Sequence, residues 1–348
     1  MRTVTPNDIK GWVKRAAVAI TAIVIVAAVA LVWLWRDRPD LAAIDWPPYP
    51  AIAPTLDAVT VTWFGVSTLL FDDGEQQILI DGFFSRPSLL DSVLGRPIAS
   101  DAARINYVLD EYRMGRLAAI VPAHSHYDHA MDIGAIANRS SASILGSETS
   151  AQIARGAGVP EDQIIVAEDG AKYEFGRFTV TMLVSNHAPI GWGGSVPFAG
   201  TIDVPLETPA PISAWREGQS YTIVVDHPHG TTIVQASGGY SEHALDGVRA
   251  DVVMLGVALL EGLGRDYLEG YWRTFVTTTG ANHVIPIHFD DYTQPFGEVQ
   301  PMPRLLDNFL DTAKWLEDQR AIWDSDTKLH MPEFGKTVVL YPDVAPEA

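Results

Sequence analysis

Three imidazoles and one carboxylate stand within positions 124–129, whose sequence is His-Ser-His-Tyr-Asp-His. The segment follows the apolar run Leu117–Val121, which predicts a strand that ends in a loop. Because side chains alternate along an extended chain, we expect His124 and His126 on one side, with Asp128 and His129 facing a second point of the same cavity. Neutral imidazole suits Zn²⁺, Fe²⁺ or Mn²⁺, and a carboxylate can bind such a metal or orient its water. The pattern predicts a metal centre; the alternative is a surface loop rich in histidine.

The order His-x-His-x-Asp-His resembles the signature of the metallo-β-lactamase superfamily, and other motifs of that family accompany it. Thr62–Thr68 and Ile78–Gly82 resemble its opening hairpin, which usually reads Trp-x-Gly-His-Ser and ends in an Asp near the metals. Asn186–Ala188 falls where the third metal-binding motif is expected, and Pro286–Phe289 resembles the last one. The resemblance extends over most of residues 58–295. It is closest to the branch with the N-acyl phosphatidylethanolamine phospholipase D-like and UlaG-like hydrolases.

The resemblance implies a fold, a cofactor and a ligand set. The implied fold is an α/β four-layer αββα sandwich, and the cofactor is Zn²⁺, one or two per chain, with Fe or Mn as alternatives. One metal would be held by His124, His126 and His187, and the second by Asp128, His129 and His288. Metal coordination lowers the pKa of a bound water to about 7. Asp128 would orient the resulting hydroxide or take its proton, and is therefore the candidate catalytic residue.

Two positions depart from the family pattern. The Asp that usually bridges the two metals is expected within residues 233–240, and Ser237 stands in its place. A neutral hydroxyl is a poor bridging ligand, so either Asp81, Asp290 or Asp291 supplies the missing charge or only one metal binds tightly. Val66 likewise replaces the His of the Trp-x-Gly-His-Ser pattern. The second metal is therefore expected to bind more weakly than the first.

Other segments have less specific patterns. Residues 227–230, His-Pro-His-Gly, predict a hairpin turn, and His283 is expected to be a hydrogen-bonding partner and not a ligand. The segment Pro189–Gln219 combines many Gly and Pro residues with apolar side chains, and it leaves His187 at the rim of the expected cleft. It is either a specificity loop for an apolar or amphipathic substrate or an ordinary packed connection. Residues 65–69 lack the second Gly of a serine-hydrolase elbow.

Residues 16–35 predict a transmembrane helix. They carry no charge and, as a helix, span about 30 Å, which is the hydrocarbon thickness of a bilayer. Trp12 precedes the span, and Trp33 and Trp35 lie at its other end, as interfacial aromatic residues do. The alternative is a cleavable signal peptide with its small-residue site at residues 28–30. We favour an uncleaved anchor because the apolar run continues beyond Ala30.

Basic residues predict the orientation of this helix. Residues 1–15 hold four of them and would be cytoplasmic, whereas residues 36–348 would be periplasmic or extracellular, which predicts a single-pass protein of the inner membrane. Residues 36–57 are rich in proline and predict a semi-rigid spacer that holds the domain of residues 58–348 off the bilayer.

Charge and composition limit the partners. The chain has 348 residues and a net charge of −19; residues 1–40 carry six basic and three acidic groups, which leaves −22 on the rest. So acidic a domain is a poor partner for DNA, RNA or an anionic membrane. Cysteine is absent, so any metal must be bound through nitrogen and oxygen. The expected partners are a small-molecule or lipid-like substrate and, through the N-terminal helix, the membrane.

Hydrophobic periodicity predicts the elements that position these residues. The predicted strands begin at Ala58 and cover Leu69–Phe71, Gln77–Ile80, Leu117–Val121, Lys172–Phe175, Phe178–Val184, Tyr221–Asp226, Thr232–Gln235 and Thr337–Tyr341. The predicted helices cover residues 102–116, 147–156, 267–278 and 305–320. Strands in two groups, each followed by helices, fit two stacked sheets with helices outside.

The leading functional hypothesis is a membrane-anchored hydrolase that uses metal-bound hydroxide on an ester or phosphodiester of a lipid-like or amphipathic substrate. The alternative is a metal-poor, catalytically degenerate relative that binds a ligand or a partner without turnover. Ser237 supports the alternative, whereas the six potential ligands argue against it.

Overall fold

The computed structural model describes residues 6–50, 52, 53, 55 and 57–341, with side chains from residue 11 onward. Parts of three predicted segments lie outside the described residues: residues 1–5 of the cytoplasmic segment, residues 51, 54 and 56 of the proline-rich stretch and residues 342–348 of the domain.

The described strands form two seven-stranded mixed sheets. The first sheet has the order β14-β1-β2-β3-β4-β5-β6, and its strands are β1 Thr60–Trp63, β2 Leu69–Asp72, β3 Gln77–Ile80, β4 Leu117–Val121, β5 Ser143–Gly146, β6 Ile164–Val166 and β14 Thr337–Val339. The second has the order β13-β12-β11-β10-β9-β8-β7, and its strands are β7 Lys172–Phe175, β8 Phe178–Ser185, β9 Ser220–His227, β10 Gly230–Gln235, β11 Val252–Gly256, β12 His283–Ile287 and β13 Lys328–Leu329. In each sheet, antiparallel hairpins precede parallel strands.

Helices cover the outer faces of the sheets. Those of the domain are α2 Leu89–Val93, α3 Ala102–Glu111, α4 Tyr127–Ala130, α5 Ile133–Ser140, α6 Glu148–Gly156, α7 Arg265–Trp272 and α8 Phe309–Trp323, whereas α1 Pro6–Arg36 precedes the domain and does not pack on a sheet. Alternation within β3 explains the layers: Ile78 and Ile80 face the core between the sheets, whereas Leu79 faces the core under α3 and α5. The predicted αββα sandwich is confirmed.

Three helix boundaries differ from the predictions. The helix expected over residues 102–116 ends at Glu111, and Arg113 adopts a left-handed backbone conformation with φ 53°. The helix expected from residue 305 begins at Phe309, because the amides of Leu306 and Asp307 donate to the Pro303 carbonyl in a turn. The helix expected over residues 267–278 is α7 followed by a π-helical turn over residues 273–277.

The N-terminal apolar segment is helical from Pro6 to Arg36. Its part Gly11–Arg36, of 26 residues, is a candidate membrane span and contains the predicted residues 16–35. None of the side chains in its most apolar stretch is buried within the protein. A membrane anchor and a signal sequence both fit this helix.

The proline-rich segment packs against the domain over residues 37–50 and is not a free chain there. Trp46 and Tyr49 are buried in the core, and the Trp46 indole donates to Glu317 at 2.5 Å. Arg38 pairs with Asp291 at 2.7 Å. Proline prevented helix formation here as expected, but the buried aromatic side chains fix the segment on the domain.

Acid is expected to loosen this docking through His330. Its ring lies 5.0 Å from that of Tyr49, and its Nε2 lies 2.9 Å from Nδ1 of His283. Burial lowers the pKa of His330 to about 4, whereas the unfolded chain titrates near its usual value of about 6.5. Between pH 6.5 and pH 4 the unfolded chain therefore binds a proton at His330 that the folded protein does not bind. The contribution of neutral His330 to the free energy of unfolding is present above pH 6.5 and is lost as pH falls towards 4. In urea titrations at about pH 7 and pH 5, His330→Gln should reduce this loss; an unchanged loss would contradict the assignment.

Candidate metal centre

Chain topology brings the six predicted ligands to one edge of the sandwich. The signature segment follows β4, His187 follows β8 and His288 follows β12. Strands β8 and β12 run parallel within the second sheet, so their carboxyl ends meet at the same edge. His288 adopts a left-handed conformation with φ 60°, and its amide donates to the Val66 carbonyl at 2.8 Å. That bond ties the last ligand to the opening hairpin of the first sheet.

The ligands fall into the two groups that the family resemblance implied. His124, His126 and His187 form one group, and Asp128, His129 and His288 form the other. Within each group, one ligand atom per residue lies within 4.8 Å of the others, and all six residues are buried. These distances are short enough for one ion per group.

Hydrogen bonds of the outer ring nitrogens orient the first group. Nε2 of His126 donates a hydrogen bond to the Pro197 carbonyl at 2.8 Å, so Nδ1 of His126 is unprotonated and can bind a metal. This Nδ1 lies 3.0 Å from Nε2 of His124. Nδ1 of His187 donates to the Ala188 carbonyl at 2.8 Å and leaves Nε2 free. Each of these two rings is therefore held in the tautomer that a metal requires.

Burial keeps the first group neutral. It lowers the pKa of His126 to about 4, that of His187 to about 3 and that of His124 well below its ordinary value, and the neighbouring imidazoles lower these pKa values further. At pH 7 the three rings are thus in the form that binds metal.

The second group is built around Asp128. Its Oδ2 lies 3.5 Å from Nε2 of His129 and 3.4 Å from Nε2 of His288, and these two nitrogens are 3.3 Å apart. Burial raises the pKa of Asp128, but the facing imidazoles outweigh burial and hold that pKa well below its usual range. Asp128 is therefore ionised, and three donors of mixed type converge on one point.

Asp81 fixes the orientation of His129 from behind. Its Oδ2 accepts from Nδ1 of His129 at 2.8 Å and from the Ser67 hydroxyl at 2.5 Å, and its Oδ1 accepts from the Ala123 amide at 2.8 Å. Burial lowers the pKa of His129, but the carboxylates of Asp81 and Asp128 outweigh burial and raise it. The sequence indicated an Asp near the metals here, and the structure gives its contacts.

Neither Asp290 nor Asp291 is free to supply the missing carboxylate. Asp290 accepts from the Val66 amide at 2.6 Å and pairs with Arg86 at 3.2 Å, and Asp291 pairs with Arg38. Asp81 is occupied by His129. The three alternatives to a bridging Asp are therefore all engaged in other contacts.

Ser237 lies on the wall of the cleft, eight per cent exposed. Its hydroxyl donates to the Asn186 carbonyl at 3.2 Å and accepts from Nε2 of Gln235 at 3.0 Å. These bonds engage the hydroxyl within the wall, and Asp128 remains the one carboxylate among the ligands of the two groups.

A cleft opens over the two groups. Besides the ligands it is lined by aromatic, apolar and small side chains: Tyr127, Ile190, Pro197, Phe198, Ala236, Ser237, Ala258, Leu259 and Tyr292. Sequence reasoning missed Tyr292 and Leu259, which carry no local motif; Tyr127 stood within the signature and could have been noted.

The loop Pro189–Gln219 fits both interpretations, a specificity loop in one part and a packed connection in another. Ile190, Pro197 and Phe198 line the cleft, as a specificity loop requires. Trp215 is fully buried and belongs to the core, as in a packed connection. The first part of the loop therefore faces the cleft and its last part holds it to the domain.

Asp81→Asn is expected to weaken metal binding or activity by about 10- to 100-fold, the usual effect of removing a carboxylate behind a metal-binding imidazole. The amide keeps the size of the side chain but removes the charge that favours the His129 tautomer. Metal titration of the variant beside the parent measures the effect. Asp226→Asn is the matched control. It changes a carboxylate near the last residue of β9, at the end of the sheet away from the six predicted ligands. Equal losses in the two variants would exclude a specific role for Asp81.

Comparison with known proteins gives partial sequence matches and a full fold match. No family model matches the chain. A metal-dependent hydrolase from Roseiflexus sp. is 28% identical over 130 residues, which are 37% of this chain and 48% of the relative. One from Heliobacterium modesticaldum is 31% identical over 126 residues, 36% of this chain and 44% of the relative. The matched part of the chain thus spans about half the length of these curated relatives.

A solved structure of an isothiocyanate hydrolase from Delia radicum gut bacteria matches 81% of this chain and 99% of its own, with a TM-score of 0.51 and 14% identity. That of a possible metal-dependent hydrolase from Veillonella parvula matches 81% of this chain and 100% of its own, with a TM-score of 0.50 and 16% identity. Likeness at this identity concerns the fold. Together with the two mixed sheets and their outer helices, it shows that the chain has the metallo-β-lactamase fold.

Proposed function

We propose that the protein is a metal-dependent hydrolase that acts on an ester or a phosphodiester. The observation that carries the proposal is the convergence of two groups of three metal-ligating side chains in one cleft. The two partial relatives are both named metal-dependent hydrolases, which supports the proposal. Zn²⁺ is the proposed metal because nitrogen donors dominate the set, with Fe or Mn as alternatives.

The chemistry that a bound metal supplies here is a water acidified to a pKa of about 7. His124, His126 and His187 would hold one ion, and Asp128, His129 and His288 the other. The ionised Asp128 has a second role, since it lies at the cleft and can accept a proton from the attacking water. Asp81 keeps His129 in its ligating tautomer. Tyr127 and Tyr292 border the cleft as donors for a substrate oxygen.

The proposed substrate is lipid-like or amphipathic. Ile190, Phe198 and Leu259 contribute apolar surface to the cleft lining, and the predicted ligands contribute polar surface. A site with both surfaces suits a molecule with an apolar body and a polar bond to be cleaved. The resemblance to the phospholipase D-like branch and the candidate membrane span favour the same substrate class.

A panel of chromogenic esters, phosphodiesters and lactams, tested on the full-length protein with and without added Zn²⁺, examines this function. We expect turnover of an ester or a phosphodiester that is lost with a chelator and restored by metal. Metal bound at both groups without turnover of any panel member would favour the alternative, a ligand-binding or partner-binding module of the same fold. Ser237 on the cleft wall is the observation that keeps this alternative.

Ser237→Asp is expected to raise metal occupancy towards two per chain and to tighten the weaker site. The five imidazoles and one carboxylate of the two groups provide a single negative charge for two divalent ions, and the variant adds a second. Titration of parent and variant with Zn²⁺ measures the change, and Ser237→Asn separates the added charge from the added size. Lower metal content or stability in the Asp variant would mean that the site is already compensated. Equal stoichiometry and affinity would mean that position 237 does not face the ions.

We also propose that α1 is an uncleaved anchor with a cytoplasmic N-terminus and that the domain lies in the periplasm or outside the cell. A reporter active only in the periplasm should be active when fused after Ala348, and the protein should remain in the membrane pellet after carbonate extraction. A shortened soluble chain that starts near Leu31 would instead establish a signal peptide.

A further inference from the structure

Three groups of exposed apolar side chains lie beside residues that line the cleft or contact its lining. Leu90, Val93 and Leu94 lie on α2 and just after it, Trp192 lies in the loop after His187, and Leu305 and Leu306 precede α8. Trp192 is 98% exposed and Val93 72%. We name these six side chains the apolar rim. Large apolar side chains exposed beside a cleft are typical of an interaction surface.

Each group is close to the cleft lining, either through a side-chain contact or because it lies two positions away in the sequence. The side chain of the lining residue Tyr127 lies near that of Ser92, which stands between Leu90 and Val93 on α2. Trp192 follows the lining residue Ile190 by two positions. Asp307 follows Leu305 and Leu306, and its Oδ2 accepts from the amide of the lining residue Leu259 at 3.0 Å. The apolar rim therefore borders the opening through which a substrate must enter.

The candidate membrane span ends at the same rim. Helix α1 ends at Arg36, and the carbonyl of Asp37 accepts from the amide of Arg304 at 2.9 Å, next to Leu305. Arg38 pairs with Asp291, the neighbour of the cleft-lining Tyr292. Asp37 and Arg38, the two residues after the helix, thus both contact residues that are next to the apolar rim or the cleft lining. A spacer of free length does not separate the mouth from the membrane.

A bilayer is the occupant that fits this surface. Tryptophan and leucine at the level where a span leaves the bilayer are typical of interfacial contact. A second copy of the chain fits less well, because the part outside residues 1–40 carries −22 and two such surfaces repel each other.

We propose that the edge of the sandwich with the cleft faces the bilayer in which α1 is embedded, and that the apolar rim enters the lipid interface. An amphipathic substrate then passes from the bilayer into the cleft without crossing water. This inference rests on the proposed anchor and makes the proposed substrate class more specific: a molecule resident in the bilayer.

The chain has no cysteine, so single labels can be attached without background. Val93→Cys, Trp192→Cys and Leu305→Cys place an environment-sensitive fluorophore on each group of the rim. The matched control is Ile322→Cys, on an exposed apolar residue near the end of α8. Helix α8 leads into β13, which pairs with the first residues of β12. The cleft lies at the last residues of β12, so the end of α8 is on the side of the domain away from the cleft. The 15 residues of α8 separate control and rim by about 20 Å.

The full-length labelled proteins are reconstituted into phosphatidylcholine vesicles with and without brominated acyl chains. We expect bromine to quench the three rim labels and aqueous iodide to quench the label at position 322. Equal access of iodide to all four labels would overturn the proposal. So would rim labels shielded from both quenchers, which would indicate a protein partner or a second copy. Mass spectrometry of the reconstituted chain checks that α1 is retained, and its loss would also overturn the proposal. The readout needs no turnover, so it stands apart from the proposed hydrolysis.

Discussion

His126→Ala is expected to lower hydrolysis of any panel substrate by more than about 100-fold. Loss of a carboxylate behind a ligand alone has effects of about 10- to 100-fold, and here the ligand itself is removed. The first group would retain only His124 and His187 as ligands. The Pro197 carbonyl cannot replace the lost imidazole as a ligand, because it contacts Nε2 of His126, the nitrogen that faces away from the metal position. The measurement is kcat/KM of the purified full-length variant, together with its metal content.

His243→Ala is the control for this variant. His243 is an exposed histidine that pairs with Asp246 on the surface, and it belongs to neither ligand group. Its loss should leave metal content and activity unchanged. Activity of His126→Ala equal to that of the parent would refute the proposed chemistry. A loss of activity with unchanged metal content would instead place His126 outside the coordination sphere.

Asp128→Asn is expected to lower kcat by about 100- to 10,000-fold, the range of general acid–base catalysis. The amide has the same shape but cannot take a proton, and it removes the one carboxylate among the ligands of the two groups. Metal affinity of the second group should fall as well, since His129 and His288 remain as its only ligands there.

Asp132→Asn separates this effect from the loss of a buried carboxylate in general. Asp132 is buried nearby but accepts hydrogen bonds from the amides of Phe84 and Ser85, away from the ligand groups. We expect its loss to lower thermal stability and to leave the metal content of the folded protein unchanged. A kcat of Asp128→Asn within a factor of about three of the parent value would exclude Asp128 as the base.

Much of the candidate metal centre could be predicted because its information is local. The spacing of His124, His126, Asp128 and His129 follows from one strand and one loop. His187 and His288 were found from short motifs at strand ends, and the structure brings them to the expected groups. The strands were predicted where alternation was clear, as in β3.

The remaining features depend on contacts between distant segments. Nothing near Trp46 or Tyr49 in the sequence indicates that they are buried, because their partners lie in α8 and beside β12 and β13. Proline content indicated a stiff segment but not where it lies. Tyr292 lines the cleft next to Asp291, whose partner Arg38 lies far away in the sequence. The same contact links the neighbourhood of the cleft to the chain just after α1.

Zinc titration of the metal-free full-length protein, followed by elemental analysis, tests the central claim most directly. The parent should bind between one and two ions per chain, the first more tightly than the second. His126→Ala should lose the tight ion and Asp128→Asn should weaken the other, because the two residues belong to different groups. A folded parent that binds no zinc, iron or manganese, or variants with the same stoichiometry and affinity as the parent, would contradict the account.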